Sequence, residues 1–542
     1  MNSIPWLTLV LVVPLGTVVL LQLVPHNART LIKAVTIVGT LATAAIVAGL
    51  VVAFTQNPAP AQVALPQGGT HVSPITFQFE EQREWISQIG ASYHLGLDGV
   101  SAWLLALDAG VFLLGALVVS ARSTDRLKFY CGLLLLSETA TAGVLLSVDL
   151  LLFYLFWEAM LIPLYFLLSN YGDSNRGRAT LKFVIYTAAG SLLMLIAIIY
   201  LYFQSPPPPG SSHASFDLTA LMLNPGPAQG VVHIPVHIGS AINADIPLLT
   251  PIQFAFIAFF LAFAIKVPLV PFHTWLPDSY TSCPPAALVF FAGIVSKLGA
   301  FGFIRYGLTL FPGPVHDYRW ILEALAILSI VYGALMALAQ VDIKRIVAYA
   351  SVSHLGFVVL GIFALNANGI NGAVIQMVNH GIIIASLFLI VGMIEQRTGT
   401  RDRHQLAGLE KRMPWLYAFF LVVTLAGLGM PGMNTFVGEF TIMLGAFQAS
   451  WILAVLAGTG VILACWYMLR LHQGLMHEPP KPATEGVRDI GTGERLVLVP
   501  LVGLMVLIGV FPRPIGDVAR SNVSQYVTVA NGAQPVAQAP QQ

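Results

Sequence analysis

The sequence predicts an all-α polytopic membrane protein. Three observations lead there: the composition, a recurrence of long apolar runs, and the placing of charge. The 542 residues are 56% hydrophobic and only 9% charged, with mean hydropathy +0.79. Soluble domains carry roughly 25% charged residues. Apolar runs of roughly 20 residues, the length that spans a bilayer, recur from one end to the other. Most ionisable side chains fall between those runs, and the exceptions carry the functional reading. A formal net charge of +1 offers nucleic acid no electrostatic footing. Cys131, Cys283 and Cys465 are scattered, which argues against disulfides, zinc and iron–sulfur sites.

In chain order, spans are expected near 6–24, 31–54, 98–120, 128–145, 149–169, 181–203, 252–275, 284–309, 320–338, 346–365, 371–394, 414–447, 451–471 and 495–512, about fourteen in all. No basic residue precedes the first run, so it reads as a span rather than a cleaved leader. With the N-terminus outside, the inner loops collect Arg29, Lys33, Arg122, Arg126, Lys128, Arg176, Arg178, Lys182, Lys344, Arg345 and the basic residues of 397–412 and 470–495. The outer loops keep Arg83, Arg305, Arg319, Arg513 and Arg520. This positive-inside bias puts both termini on the periplasmic side of the inner (plasma) membrane.

Outer loop 55–97 carries Glu80, Glu81, Glu84 and Asp98, either as a contact surface for a neighbouring subunit or as a solvated surface. Outer loop 204–250 opens with the prolines Pro206 to Pro209. The tail beyond Asn522 is polar and Pro/Gln-rich, and is expected to be disordered.

Four charges lie alone in apolar surroundings. Glu439 is the only Asp, Glu, Lys or Arg between Arg412 and Arg470, Lys266 between Asp245 and Asp278, Lys297 between Asp278 and Arg305, and Glu158 between Asp149 and Asp173. A charge at the bilayer centre costs at least ~2.5–3.5 kcal/mol, so each needs an offsetting role, and the default role is moving ions or protons. Two of them neighbour helix breakers: Pro268 and Pro271 follow Lys266, and Gly427–Gly432 with Pro431 precede Glu439. Interrupted backbone at membrane depth belongs in protein or beside a watery cavity, and paired interruptions point to repeated transporter halves. Proline kinks that merely aid packing are the alternative. The GxGxxG match at Gly427–Gly432 has no strand before it and is not read as a nucleotide loop.

Burial disfavours the ionised form of Glu158 and a nearby cation favours it; Lys266 is the natural partner. A buried lysine switches readily between charged and neutral forms, which makes the pair a usable pump element. A static ion pair is the alternative. Lys297 would be the next relay point, unless it snorkels to an interface. His354 and His380 can each donate and accept at once, as a proton relay needs. They could instead be packing residues, or, more remotely, haem ligands. Glu439 would end the chain.

The segments LGLDGVSAW (95–103), DLLLFYLFWEAMLIPLYFLL (149–168), FAIKVPLVPFHTWLPDSY (263–280), DIKRIVAYASVSHLGF (342–357) and MPGMNTFVGEF (430–440) resemble the proton-translocating antiporter-like subunits of respiratory complex I, the NADH:quinone oxidoreductase. The resemblance spans roughly 95–475. Glu439 favours the subunit M branch, since the sister subunits and the cation/proton antiporter relatives usually have lysine there. The resemblance implies fourteen helices with two inverted five-helix repeats and two discontinuous helices. The division expected is 1–97 for N-terminal helices and outer loop, 98–310 and 311–475 for the repeats, and 476–542 for a cytoplasmic loop, last helix and polar tail. It implies Glu158 and Lys266 as coupling pair, Lys297 as central relay, His354 and His380 on a hydrophilic axis, and Glu439 as terminal residue. It also implies no cofactor on this chain, with FMN, iron–sulfur clusters and quinone on partner subunits, and sister antiporter-like subunits as neighbours in the bilayer. A sodium/proton antiporter-type subunit, the equivalent subunit of a ferredoxin- or hydrogenase-linked complex, and a passive membrane scaffold are the rival readings.

Overall fold

The structure, a computed structural model, describes residues 4–56, 75–121, 125–173, 175–208, 213–223, 232–238 and 242–532. Among the described residues, twelve helices are long and apolar enough to cross a membrane. Two shorter apolar helices, α9 (Pro251–Lys266) and α15 (Pro414–Gly427), accompany them. In order, α1 (Trp6–Leu23) and α2 (Arg29–Gln56) precede a hairpin of β1 (Gln78–Ile86) and β2 (Ala91–Leu97). Then come α3 (Gly99–Ala121), α4 (Leu127–Leu146), α5 (Leu150–Ala159), α6 (Leu161–Tyr171), α7 (Arg176–Gln204) and the short α8 (Leu218–Leu223). A second antiparallel pair, β3 (Val232–Ile238) and β4 (Ile242–Leu249), leads into α9. The rest is α10 (Trp275–Ser282), α11 (Pro285–Leu310), α12 (Pro312–Ala339), α13 (Ile343–Phe363), α14 (Ala367–Thr398), α15, α16 (Asn434–Ala449), α17 (Trp451–Met476), α18 (Thr492–Val510) and α19 (Arg513–Ala530).

Local sequence accounts for the helix ends. Asp149 caps α5 by accepting from the backbone N–H groups of Leu151 and Leu152. Asp342 does the same for α13 through Lys344 and Arg345. Thr250 and Gln253 form a capping box on α9, with Pro251 in its first turn. Gly399 closes α14 in the left-handed conformation, φ 70°.

The interruptions fall where the breakers stand. Between α9 and α10 the chain leaves helix at Val267–Thr274, and the indole N–H of Trp275 donates to the Ile265 carbonyl at 2.8 Å. The backbone N–H of Val270 donates to Ser329 Oγ at 2.9 Å. Between α15 and α16, Gly429 and Gly432 take φ of 76° and 91°, which favours glycine. At the second break the backbone N–H groups of Gly429 and Met430 donate back to the Ala426 and Leu425 carbonyls, so both breaks find protein partners, as backbone at membrane depth requires. A third break separates α5 from α6 at Met160. Pro163 has no N–H to offer the Ala159 carbonyl, so the ladder stops one residue after Glu158.

Helices α11, α13 and α14 have their spanning windows wholly buried and form the centre of the bundle. α17 and α18 leave most of theirs uncovered. Apolar side chains such as Ile462, Trp466 and Leu496 stand outward there, as a lipid or subunit boundary demands.

Several expectations need correction. The part of the 55–97 loop from Gln78 to Leu97 is a β-hairpin. Two of the four acids named there turn inward, while Glu80 and Glu84 stay exposed: Glu81 accepts from the backbone N–H groups of Leu7 and Thr8 at the start of α1, and Asp98 is wholly buried. Arg305 lies within α11, also wholly buried, because Asp98 neutralises it at 2.8 Å. The chain just beyond Asn522 continues as helix to Ala530, anchored by buried Tyr526 and Val523. Residues 533–542, Arg122 and Pro209, which the sequence reading also used, lie outside the described residues.

Candidate functional site

The candidate residues line up through the buried centre. Glu158 stands in the last turn of α5, and its buried Oε1 has no hydrogen-bond partner. Lys266 ends α9, and its Nζ also has no hydrogen-bond partner. Nζ lies 5.0 Å from the centre of the Trp157 ring and 5.9 Å from that of Phe183. Glu158 is the acid whose field reaches Lys266, yet the two make no ion pair. The aromatic rings offer a lysine head their π faces without fixing it by hydrogen bonds. The pair is close enough to interact and is not locked.

Lys297 sits on α11, wholly buried, between two π-helical turns at Phe291–Val295 and Phe303–Gly307. Its Nζ donates to the Ala292 carbonyl at 2.7 Å. A π turn displaces the regular ladder, so a side chain can reach a carbonyl there. Gly299 lets α9 and α11 meet: a Cβ on it would lie 3.0 Å from Cβ of Lys266. The two lysine-bearing helices therefore pass with backbone close to backbone beside the break in α9.

His380, on α14, is buried with both ring nitrogens unpartnered. Lys297 and His354 are the titratable groups whose fields reach it. The His380 and His354 ring centres are 5.9 Å apart. His354, on α13, bonds Glu439 Oε1 through Nδ1 at 2.6 Å and the Tyr467 hydroxyl through Nε2 at 3.1 Å. Both His354 nitrogens are thus engaged within the protein. Gln376 Nε2 donates to the same carboxylate oxygen at 3.2 Å. Asn379 Nδ2 donates to the Asn434 carbonyl at 2.7 Å, which ties α14 to the start of α16 after the second break. The broken helix thus delivers Glu439 to the histidines.

The six residues fall into two groups, Glu158 with Lys266 and His380 with His354 and Glu439; Lys297 stands between them. Such a row of buried donors and acceptors can pass protons by short hops with intervening water. Gln376 and Tyr467 were not singled out from sequence. Gln376 stands four residues before His380, on the same helix face, and that spacing was legible. Tyr467 lies 113 positions from His354 and had no such signal. Asp108 and Glu138 were also passed over, although both are buried acids inside spans. They fall inside the expected spans 98–120 and 128–145, each as isolated from other charges as Glu158 or Lys297, so the same signal could have found them.

Comparison with known proteins adds to this geometry. The family described as NADH:quinone oxidoreductase/Mrp antiporter, TM, matches residues 147–464. The chain is similar to NADH-quinone oxidoreductase subunit M of Rickettsia prowazekii, 37% identical over 455 residues, covering 83% of this chain and 87% of that one. It is similar to the subunit of the same name of Mycobacterium tuberculosis, 34% identical over 565 residues, covering 99% and 96%. Among solved structures, a chain of respiratory complex I from Thermus thermophilus with bound NADH superposes with TM-score 0.78 at 31% identity, covering 96% of this chain and 99% of that one. A chain of the Mrp complex from Dietzia sp. shares the fold at TM-score 0.79 and 22% identity, covering 98% and 100%.

Proposed function

The chain belongs to the family of membrane subunits shared by NADH:quinone oxidoreductases and Mrp antiporters, and we propose that it is a proton-translocating membrane-arm subunit of an NADH:quinone oxidoreductase. The observation that carries this reading is the unlocked Lys266 beside Glu158 at one end of a buried polar row that ends at Glu439. The similarity to subunits of that name over most of both chains supports the same complex. The likeness to the Mrp chain, at 22% identity, carries the fold alone.

On this reading the redox chemistry stays on partner subunits, which hold FMN, the iron–sulfur clusters and quinone. Sister antiporter-like subunits flank this chain in the plasma membrane. The interrupted pairs α9/α10 and α15/α16 are the counterpart breaks of two inverted repeats, 98–310 and 311–475, and both termini face the periplasm. A change relayed from a neighbour moves Glu158 relative to Lys266. Approach of the carboxylate favours the ammonium form of Lys266, and withdrawal favours loss of one proton. That proton passes to the amine of Lys297, then to His380 and His354, and is held at Glu439 before release. Each hop leaves a neutral base where a cation stood, so charge moves without an isolated ion persisting in the core.

The test uses the assembled complex in sealed vesicles, with NADH oxidation and proton uptake measured together. Lys266→Ala and Glu158→Gln are expected to cut proton uptake per NADH while assembly persists. Unchanged uptake in both variants, with assembly confirmed, overturns the reading in favour of a passive scaffold.

A further inference from the structure

Two acids stand outside the row just described. Asp108 on α3 and Glu138 on α4 are 1% and 0% exposed. Neither oxygen of Glu138 has a hydrogen-bond partner, nor has Oδ1 of Asp108. Asp108 is the charged group whose field reaches Glu138. The Thr141 hydroxyl near them donates within α4, to the backbone carbonyls of Ser137 at 2.9 Å and Glu138 at 3.1 Å. No cation approaches either carboxylate in an ion pair among the described residues.

Two ionised carboxylates cannot both persist in such a place. The like charges repel and both side chains are buried, so at least one of the two carboxyls must hold a proton. A purely structural pair would be expected to satisfy its oxygens with donors, and Glu138 has none.

The pair also lies against the helix that holds Lys297. α3 and α11 run side by side in opposite directions. Gly115 packs on Phe290, Gly293 on Val111, and Ser101 receives a hydrogen bond from Arg305. Asp108 falls between the last two contacts, which sets it at the depth of Ser296 and Lys297. The Ser296 hydroxyl there is buried with no partner.

We propose that Asp108 and Glu138 together hold one proton, on one carboxyl or the other, and form a side station of the proton path, exchanging with Lys297. The step balances. The ammonium of Lys297 gives a proton to the singly protonated pair, leaving a neutral amine and two carboxylic acids; the reverse step restores the anionic pair and the ammonium. The station buffers the central lysine, so that it can be emptied before the Glu158–Lys266 pair refills it. This inference rests on the proton-translocating reading.

The test compares Asp108→Asn, Glu138→Gln and Glu138→Asp with Lys266→Ala in the assembled complex, reading proton uptake per NADH and the infrared carboxylic-acid band. Asparagine and glutamine keep the size and hydrogen-bonding reach, so folding should survive. The amide variants should lose the protonated-carboxyl band and slow NADH-driven proton uptake about tenfold. Glu138→Asp, which keeps the acid, should retain most of the uptake. Normal uptake in the amide variants alongside a defective Lys266→Ala overturns the side station and leaves the functional reading standing. Normal uptake in Lys266→Ala as well overturns the functional reading itself. Equal loss in Glu138→Asp and Glu138→Gln makes Glu138 a packing element and also overturns the side station.

Discussion

His354 Nδ1 and Glu439 Oε1 lie 2.6 Å apart, although 85 residues separate them in the chain. The bond joins the fully buried α13 to the half-helix that begins after the break at Leu428–Met433. Tyr467 holds the far side of the imidazole and Gln376 the same carboxylate oxygen, so both groups are oriented before any proton arrives. Glu439→Gln keeps the shape and removes the acid. Proton uptake driven by NADH is expected to fall about tenfold or more, the scale of a lost proton-transfer group. Glu439→Lys should be no better, because it sets a cation against His354 and the Gln376 amide. Tyr467→Phe removes one neutral hydrogen bond of about 0.5–1.5 kcal/mol and should leave most of the uptake.

Lys266 discriminates charge from proton transfer. Arginine keeps the positive charge beside Trp157 and does not release its proton in proteins. Lys266→Arg should therefore be as defective in proton uptake as Lys266→Ala. Recovery of uptake in Lys266→Arg would mean that a fixed charge suffices.

The buried pair Asp98–Arg305 holds the bundle together at the hairpin end. The guanidinium also donates to the carbonyls of Leu145 and Ser147 and to Ser101 Oγ. On the other side, the Tyr526 hydroxyl of α19 donates to Asp98 Oδ2, and Asn522 bonds Gly99 N and the Thr76 carbonyl. Removing one partner of a buried ion pair costs about 3–5 kcal/mol. Asp98→Asn should lower the thermal stability of the assembled complex and expose α19 to protease. Tyr526→Phe should cost about 1.5–3 kcal/mol, the range for a hydrogen bond to a charged group. Thermal unfolding and limited proteolysis of the purified complex read both.

The hairpin carries a pH-dependent contact. Burial disfavours a charge on His94, but the hydrogen bond to Asp217 and the Glu80 carboxylate 3.4 Å away outweigh it and raise its pKa to about 9. The Asp217 carboxyl is held low in turn: burial opposes its charge, and the bond to His94 prevails. A raised histidine stabilises fully below its unfolded value near 6.5 and loses that contribution as pH climbs through about 9. Amide exchange across β2 and the Asp217 segment should therefore be slow at pH 6 and quicken toward pH 10. His94→Ala should flatten that dependence.

Much of the site could be read from one-dimensional pattern. A lone charge in an apolar run is visible without a partner, which is why Glu158, Lys266, Lys297 and Glu439 stood out. Proline and glycine announce broken helices because they act on their own backbone. The break after Glu158 was equally legible in Pro163 and was not used. Arg305 misled because a buried arginine and an exposed one look alike until the partner is known. Asp98 is that partner, and it comes from a segment that read as a surface loop.

Composition and spacing alone decided that this chain lives in a bilayer, where its helices run, and which side chains pay an energetic penalty unless they act. Those are local properties: each follows from the transfer of a short stretch of chain out of water. Which groups face one another was decided only by packing. Tyr467 reaches His354, Asn522 caps Gly99, and Glu138 comes within the field of Asp108 across helix pairs whose contacts no periodicity encodes. A proton path is a set of such distances, so its members could be nominated from sequence, but their order in space belongs to the fold.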